Sequence, residues 1–275
     1  MSGANMMSEE EWRSLLEGRH PAAHKSRRVR GAFPSNPRCR LCYTPFRGVG
    51  GFVLRRISPA NEPWDKNPSL CRRCCLQISS ADVMGAEVPA SFLFADVRGS
   101  SELARRLGTM EFTKLMQRFY AVGTRALFEH EALLDKFVGD EIVGFFLPFM
   151  VGDRHPQAAV ETARGLFHAV GYDDEEGPWL PLGAGVHTGP TFVGYVSRGE
   201  QSEFTALGDT INVAAHLAAK AGPGEILITR EVAAALESSG LERRHLSLKG
   251  HELDAFVIDV GGRRAAPDVD HAVGS

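Results

Sequence analysis

All five cysteines of this 275-residue chain fall inside one short window, as Cys39-x-x-Cys42 and then Cys71-x-x-Cys74 followed at once by Cys75. Two thiolates separated by two residues can face one ion, and two such knuckles complete a tetrahedral four-sulfur shell suited to zinc. An iron–sulfur centre would use the same ligand set, and a disulfide pair is disfavoured in a reducing compartment. Around the knuckles the text is rich in turn formers and Arg: Arg27, Arg28, Arg30, Gly31, Pro34 and Pro37 come first, then Gly48, Gly50, Gly51, Pro59, Pro63 and Pro68. Periodic apolar residues are few, so this segment is expected to depend on a metal for its fold. The basic stretch 19–40 reads as a solvated linker rather than a lipid or nucleic-acid contact. Residues 1–85 are therefore taken as a cysteine-rich module with Cys39, Cys42, Cys71 and Cys74 on a structural Zn²⁺.

Charge adds little, because 31 Lys plus Arg against 34 Asp plus Glu leave a net charge of -3 and no global field that calls for nucleic acid or anionic membrane. The N-terminus is polar and acidic, unlike a signal peptide, and the longest apolar run, 142–152, contains Pro148 and is far short of the roughly 20 residues a bilayer span needs. The expectation is a cytoplasmic protein with no membrane partner.

From residue 91 strand and helix signals alternate. Residues 91–97 (SFLFADV) form an apolar run with one acid near its end. A stripe of Phe112, Leu115, Met116, Phe119, Val122, Ala126 and Leu127 follows at helix-face spacing. Runs 132–138 and 142–147, joined by Gly139-Asp140, predict a hairpin. Residues 155–170 read as a helix, 182–187 and 191–196 as a strand pair around a Thr-Gly-Pro turn, and 202–207 as a strand. A helix over 209–221 is stopped by Gly222-Pro223. Then come strand 225–229, a helix through Ala235, and strands 245–249 and 253–258. Hairpins interleaved with helices predict an α+β sandwich of mainly antiparallel sheet over residues 86–260, with 261–275 a flexible tail.

Two acids stand where chemistry could enter. Asp96 closes the first strand and Asp140 sits at the hairpin tip. Neighbouring strands would bring both carboxylates to one rim, an arrangement that holds divalent metals for phosphoryl chemistry. The loop with Gly99 and Ser100 opens a helix whose free N–H groups could cradle phosphate.

The strings FADVRGSS (94–101), DKFVGDEIVGFF (135–146), GAGVHTGP (183–190) and FTALGDTINVAAHL (204–217) resemble, in order, the motifs of the class III adenylyl and guanylyl cyclase catalytic domain. The resemblance implies a ferredoxin-like βαββαβ core and a homodimer with active sites at the subunit interface. It implies Asp96 and Asp140, with the Val97 carbonyl, as ligands of two Mg²⁺ or Mn²⁺ ions, and Lys136 and Thr205 as the base-reading pair from the opposite subunit. An ammonium beside a hydroxyl oxygen suits the N1 acceptor and 6-amino donor of adenine better than guanine, although cytosine shows a similar edge. ATP is the expected substrate. Asn212 matches the ribose-orienting asparagine. His216, one turn on, stands where the family usually has an arginine for the transition-state phosphate; it is shorter, unforked and charged only when protonated. Competing readings are a catalytically weak pseudo-cyclase, a pyrimidine-nucleotide cyclase, a diguanylate cyclase suggested by Gly139-Asp140-Glu141, and a nucleic-acid-binding regulator.

Overall fold

The computed structural model describes residues 8–32, 37–64, 67–79, 85–198, 201–248 and 251–261. Residues 262–275 of the expected tail, and 80–84 just before the expected boundary at 85/86, lie outside the described residues. No helix among the described residues is long and apolar enough to cross a membrane.

The chain forms two compact units. The first comprises Met1–Pro89, Leu147–Asp153 and Pro190–Gly208, the second Ala90–Phe146, Arg154–Gly189 and Asp209–Ser275. Within the first unit come helices α1 (Glu9–Leu16), α2 (Pro21–Gly31) and α3 (Gly48–Ile57), the short antiparallel pair β1 (Pro63–Trp64) and β2 (Asn67–Cys71), and α4 (Arg72–Ser79). The expected solvated linker is instead α2. Pro21 fits the first helical position and the His20 side chain caps it, Nδ1 accepting from the Ala22 N–H at 3.2 Å. Arg27 of α2 is spent on backbone carbonyls of the first knuckle, donating to Arg40 O at 2.9 Å and Leu41 O at 3.3 Å, and to Phe149 O at 3.1 Å. The sparse apolar residues do more than composition suggests: Trp12 and Leu16 of α1 are fully buried behind a Ser8–Glu11 capping box.

The sheet strands are β3 (Gly85–Val97), β4 (Leu133–Val138), β5 (Glu141–Phe146), β6 (Leu182–Arg198), β7 (Gln201–Leu207), β8 (Glu225–Thr229), β9 (Glu242–Leu248) and β10 (His251–Asp259). Helices α5 (Ser100–Glu129, kinked at Gly108), α6 (Pro148–Val151), α7 (His155–Ala169), α8 (Asp209–Lys220) and α9 (Arg230–Ala235) connect them. The strand order is β4-β5-β3-β6-β8-β10-β9, with β7 paired to β6. The succession β3-α5-β4-β5-α7-β6 is the ferredoxin-like βαββαβ core, and the β6–β8 pairing is parallel in a sheet whose β3–β5, β4–β5, β6–β7, β8–β10 and β9–β10 pairings are antiparallel.

One expectation fails here. The Thr-Gly-Pro turn does not exist, and β6 runs unbroken through it. Proline's fixed φ is compatible with extended backbone, and Gly189 serves closeness rather than turning, since a Cβ there would press on Thr210 of α8 at 2.8 Å.

The core beneath the hairpin is a reciprocal fit. A Cβ at Gly123 of α5 would overlap the Ile142 tip, and one at Gly144 of β5 would overlap Leu127 of α5. Each glycine is the hole for the other element's knob. Phe119, Leu127, Ile142 and Phe145 around them are 1% exposed or less, each worth about 1.5–3 kcal/mol of burial. This packing fixes α5 against the strands that carry the two acids.

Candidate active site

Antiparallel register brings the acids together. Asp96 at the end of β3 lies opposite Glu141 of β5, so Asp140, one residue earlier, occupies the same edge. The Val97 N–H donates to the Asp140 carbonyl at 3.2 Å, closing that edge. The hairpin tip turns at Gly139 with φ +62°, where a side chain would be strained. Tyr120 of α5 holds it from below, donating its hydroxyl to Gly139 O while its ring sits 4.6 Å from that of Phe137. Burial, and then the Asp140 charge, push the Tyr120 phenol up, so it stays a donor.

Arg98, which the sequence reading did not single out, is the cation of this edge. It forms an ion pair with Asp96. It also donates to Ala219 O at 3.2 Å and Ala221 O at 3.4 Å, at the end of α8. Burial lowers its pKa, opposed by the charges of Asp140 and Glu141. A guanidinium drawn into the field of both acids shows that this edge attracts positive charge. Two carboxylates and a carbonyl are hard oxygen donors of the kind Mg²⁺ or Mn²⁺ prefer, so Asp96, Asp140 and Val97 fit the expected ions. Gly99, at φ +70°, turns the chain into α5; a Cβ there would meet nothing within 4 Å, and no side chain caps this helix start. Ser100 is its first residue.

The remaining predicted residues stand on other elements. Gly185 of β6 lets α8 lie directly on the strand, because a Cβ there would collide with the Ala214 and Ala218 backbone. Ala214, Leu217 and Ala218 are fully buried, which turns Asn212 out to solvent and leaves His216 half-buried, one turn apart on one helix face. Lys136 lies on β4 opposite Val143, and Thr205, half-buried, on β7 opposite Gly194. His187 is held by Thr229, its Nδ1 2.9 Å from Oγ1, and burial lowers its pKa, consistent with a structural role.

The second assembly is the cysteine cluster. The sulfurs of Cys39, Cys42, Cys71 and Cys74 all lie within 4.8 Å of one another, with Cys39–Cys74 at 3.9 Å and Cys42–Cys71 at 3.6 Å. A tetrahedral ion with metal–sulfur bonds of about 2.3 Å sets its sulfurs about 3.8 Å apart. The four cysteines are thus in position for one ion and are too close together to enclose several irons. The Cys71 N–H points at the Cys39 sulfur at 3.3 Å, and the Cys74 N–H at that of Cys71 at 3.5 Å. Cys75 is excluded; burial, with the nearby Cys39 charge, pushes its thiol up to about 12.

Residues 84–259 match the model of the adenylate and guanylate cyclase catalytic domain. Uncharacterized proteins of Mycobacterium tuberculosis and Mycobacterium bovis are each 31% identical over 176 residues, covering 61% of this chain and 32% of theirs. The chain thus spans about a third of the length of these curated relatives. Among solved structures, the guanylyl cyclase Cya2 aligns with a TM-score of 0.57 at 19% identity over 64% of this chain and 93% of its own. The adenylyl cyclase CyaB from P. aeruginosa aligns with a TM-score of 0.56 at 24% identity over 63% and 95%. Paired acids, the βαββαβ core and a family match over well over half of the sequence converge: the chain belongs to the adenylate and guanylate cyclase catalytic domain family.

Proposed function

We propose that this nucleotide cyclase domain converts ATP into 3′,5′-cyclic AMP and pyrophosphate. The observation that carries the reading is the β3–β5 register, which sets Asp96 and Asp140 on one edge. Divalent ions bound there, with the Val97 carbonyl, would supply the Lewis acidity that lowers the pKa of the ribose 3′-hydroxyl and neutralises the triphosphate. The 3′-oxygen attacks the α-phosphorus, the α–β bridging bond breaks, and the hydroxyl proton passes to solvent. Gly99 and Ser100, at the uncapped start of α5, offer N–H groups to the phosphates. Arg98 balances the acids and yields Asp96 when substrate arrives. Asn212 orients the ribose, and His216 faces the phosphate as a weaker donor than arginine would be.

Lys136 and Thr205 read the base from a second copy of the chain, so the active species is a homodimer with sites at its interface. Their ammonium and hydroxyl favour adenine over guanine. The ion at the four thiolates is zinc in this reading, the d¹⁰ ion for which four cysteines are a closed structural shell. Chromatography of products formed from each of the four ribonucleoside triphosphates with Mn²⁺ tests the activity. Cyclic AMP from ATP is expected; a product from CTP or GTP alone would overturn the base assignment, and none from any would favour the pseudo-cyclase.

A further inference from the structure

The four-cysteine cluster does not stand apart from the nucleotide-reading machinery, because the residues beside its ligands form the floor under the β6–β7 hairpin. Leu41 lies between Cys39 and Cys42, Leu70 precedes Cys71, and Cys75 follows Cys74; they are only 5%, 4% and 7% exposed. Within the first unit these three, with Trp64, Leu15 and Leu16 of α1 and Phe149, share a small apolar cavity with Tyr195 of β6 and Phe204 of β7. The two hairpin rings sit 5.3 Å apart, and the Tyr195 hydroxyl donates to the Cys75 carbonyl at 3.3 Å. Phe204 is the neighbour of Thr205. Among the described residues β7 pairs with β6 alone, so it is held by hydrogen bonds on one side only and depends on packing for the rest.

We infer that the four-cysteine ion site is a positioning device for the β6–β7 hairpin, so that metal occupancy sets how firmly Thr205 is presented to the nucleotide base. With the ion bound, both knuckles are rigid and Leu41, Leu70 and Cys75 form a fixed apolar floor. Without it, small cysteine-ligated modules lose their fold, and the hairpin loses the part of its packing surface that Leu41, Leu70 and Cys75 supply. Coupling of this kind needs a two-state element that both sites bias; here it is the ordered or loosened hairpin. The link to turnover rests on the base-reading role proposed for Thr205, whereas the link to hairpin order does not.

The test is hydrogen exchange on the full chain under reducing conditions, as purified with zinc, after stripping with a nitrogen-donor zinc chelator, and after zinc is restored. Amides of 192–198 and 201–207 are expected to exchange at least about tenfold faster in the stripped protein and to recover on reloading, with those of 225–229 and 255–259 unchanged. Unaltered hairpin exchange would overturn the inference. Should stripping accelerate exchange everywhere, Leu70→Ala in the zinc-loaded chain decides instead: it leaves all thiols in place, and faster exchange confined to the hairpin supports the coupling while none refutes it. The KM for ATP should rise in parallel with hairpin exchange, with a smaller change in kcat. A protein that makes no cyclic nucleotide in any state would sink the cyclase reading and leave the exchange result to judge the clamp.

Discussion

The edge carrying Asp96 and Asp140 and the pocket of four cysteines both gather ligands from distant stretches of sequence, but by opposite means. At the edge, the register of β3 on β5 and the interlocked Gly123 and Gly144 hold the acids; the scaffold exists without its ions. In the cysteine cluster the ligands are themselves part of the core, with Cys39, Cys71 and Cys74 buried. Ion loss should therefore silence chemistry at the first site and loosen structure at the second. The thiol shell is also complete within one chain, whereas the nucleotide site as proposed needs two.

That last contrast gives the largest effect. Asp96→Ala and Lys136→Ala should each abolish turnover, and mixing the two purified variants should restore it, because one site of each mixed dimer has both intact parts; a mixture as silent as its components would break the two-chain site. Next is Cys42→Ser, which removes one of four ligands. Bound zinc should fall below about half an ion per chain, and several kcal/mol of local stability should go with it. Limited proteolysis should then cut within 37–79 while β8 to β10 persist; equal protection would show that the module does not need its ion. His216→Arg should raise kcat by about ten- to a hundredfold by supplying a forked cation at the phosphate, with melting temperature unchanged; a loss of rate would remove His216 from the site.

The smallest effect concerns an ion pair in the sheet unit. Glu225 accepts two bonds from Arg244, at 2.7 and 2.8 Å, and one from the Gly222 N–H at 2.7 Å. The Arg244 bonds above all hold its carboxyl below the usual 4.5. A depressed folded-state pKa contributes stability above the unfolded value and loses it as pH falls through the folded one. Glu225→Gln should thus cost about 1–2 kcal/mol at pH 7, and denaturant midpoints of variant and parent should converge as acid protonates the Glu225 carboxyl, below the usual carboxylate range. A gap that persists in acid would trace the effect to packing.

Much of the site was legible because its signals are local. The Gly139-Asp140 hairpin, the strand ending at Asp96 and the helix with Asn212 and His216 each follow from a short pattern, and the paired Cys-x-x-Cys spacing led to sulfurs now within 4.8 Å. What escaped depends on tertiary closeness. Thr188-Gly189-Pro190 has turn composition, yet Gly189 is there for the approach of Thr210. Stretch 19–40 looks like linker until Arg27 and His20 find backbone partners. Arg98 has no periodicity to mark it, and its place between Asp96 and the end of α8 exists only once the sheet has formed.

The central claim is that two carboxylates at one sheet edge grip the ions that drive cyclisation. Its most direct test is cyclic-nucleotide formation with Mn²⁺ by Asp140→Asn, an isosteric change that leaves the hairpin intact. The account predicts a fall of about a thousandfold or more with an unchanged circular dichroism spectrum. Turnover within a few fold of the parent would contradict it.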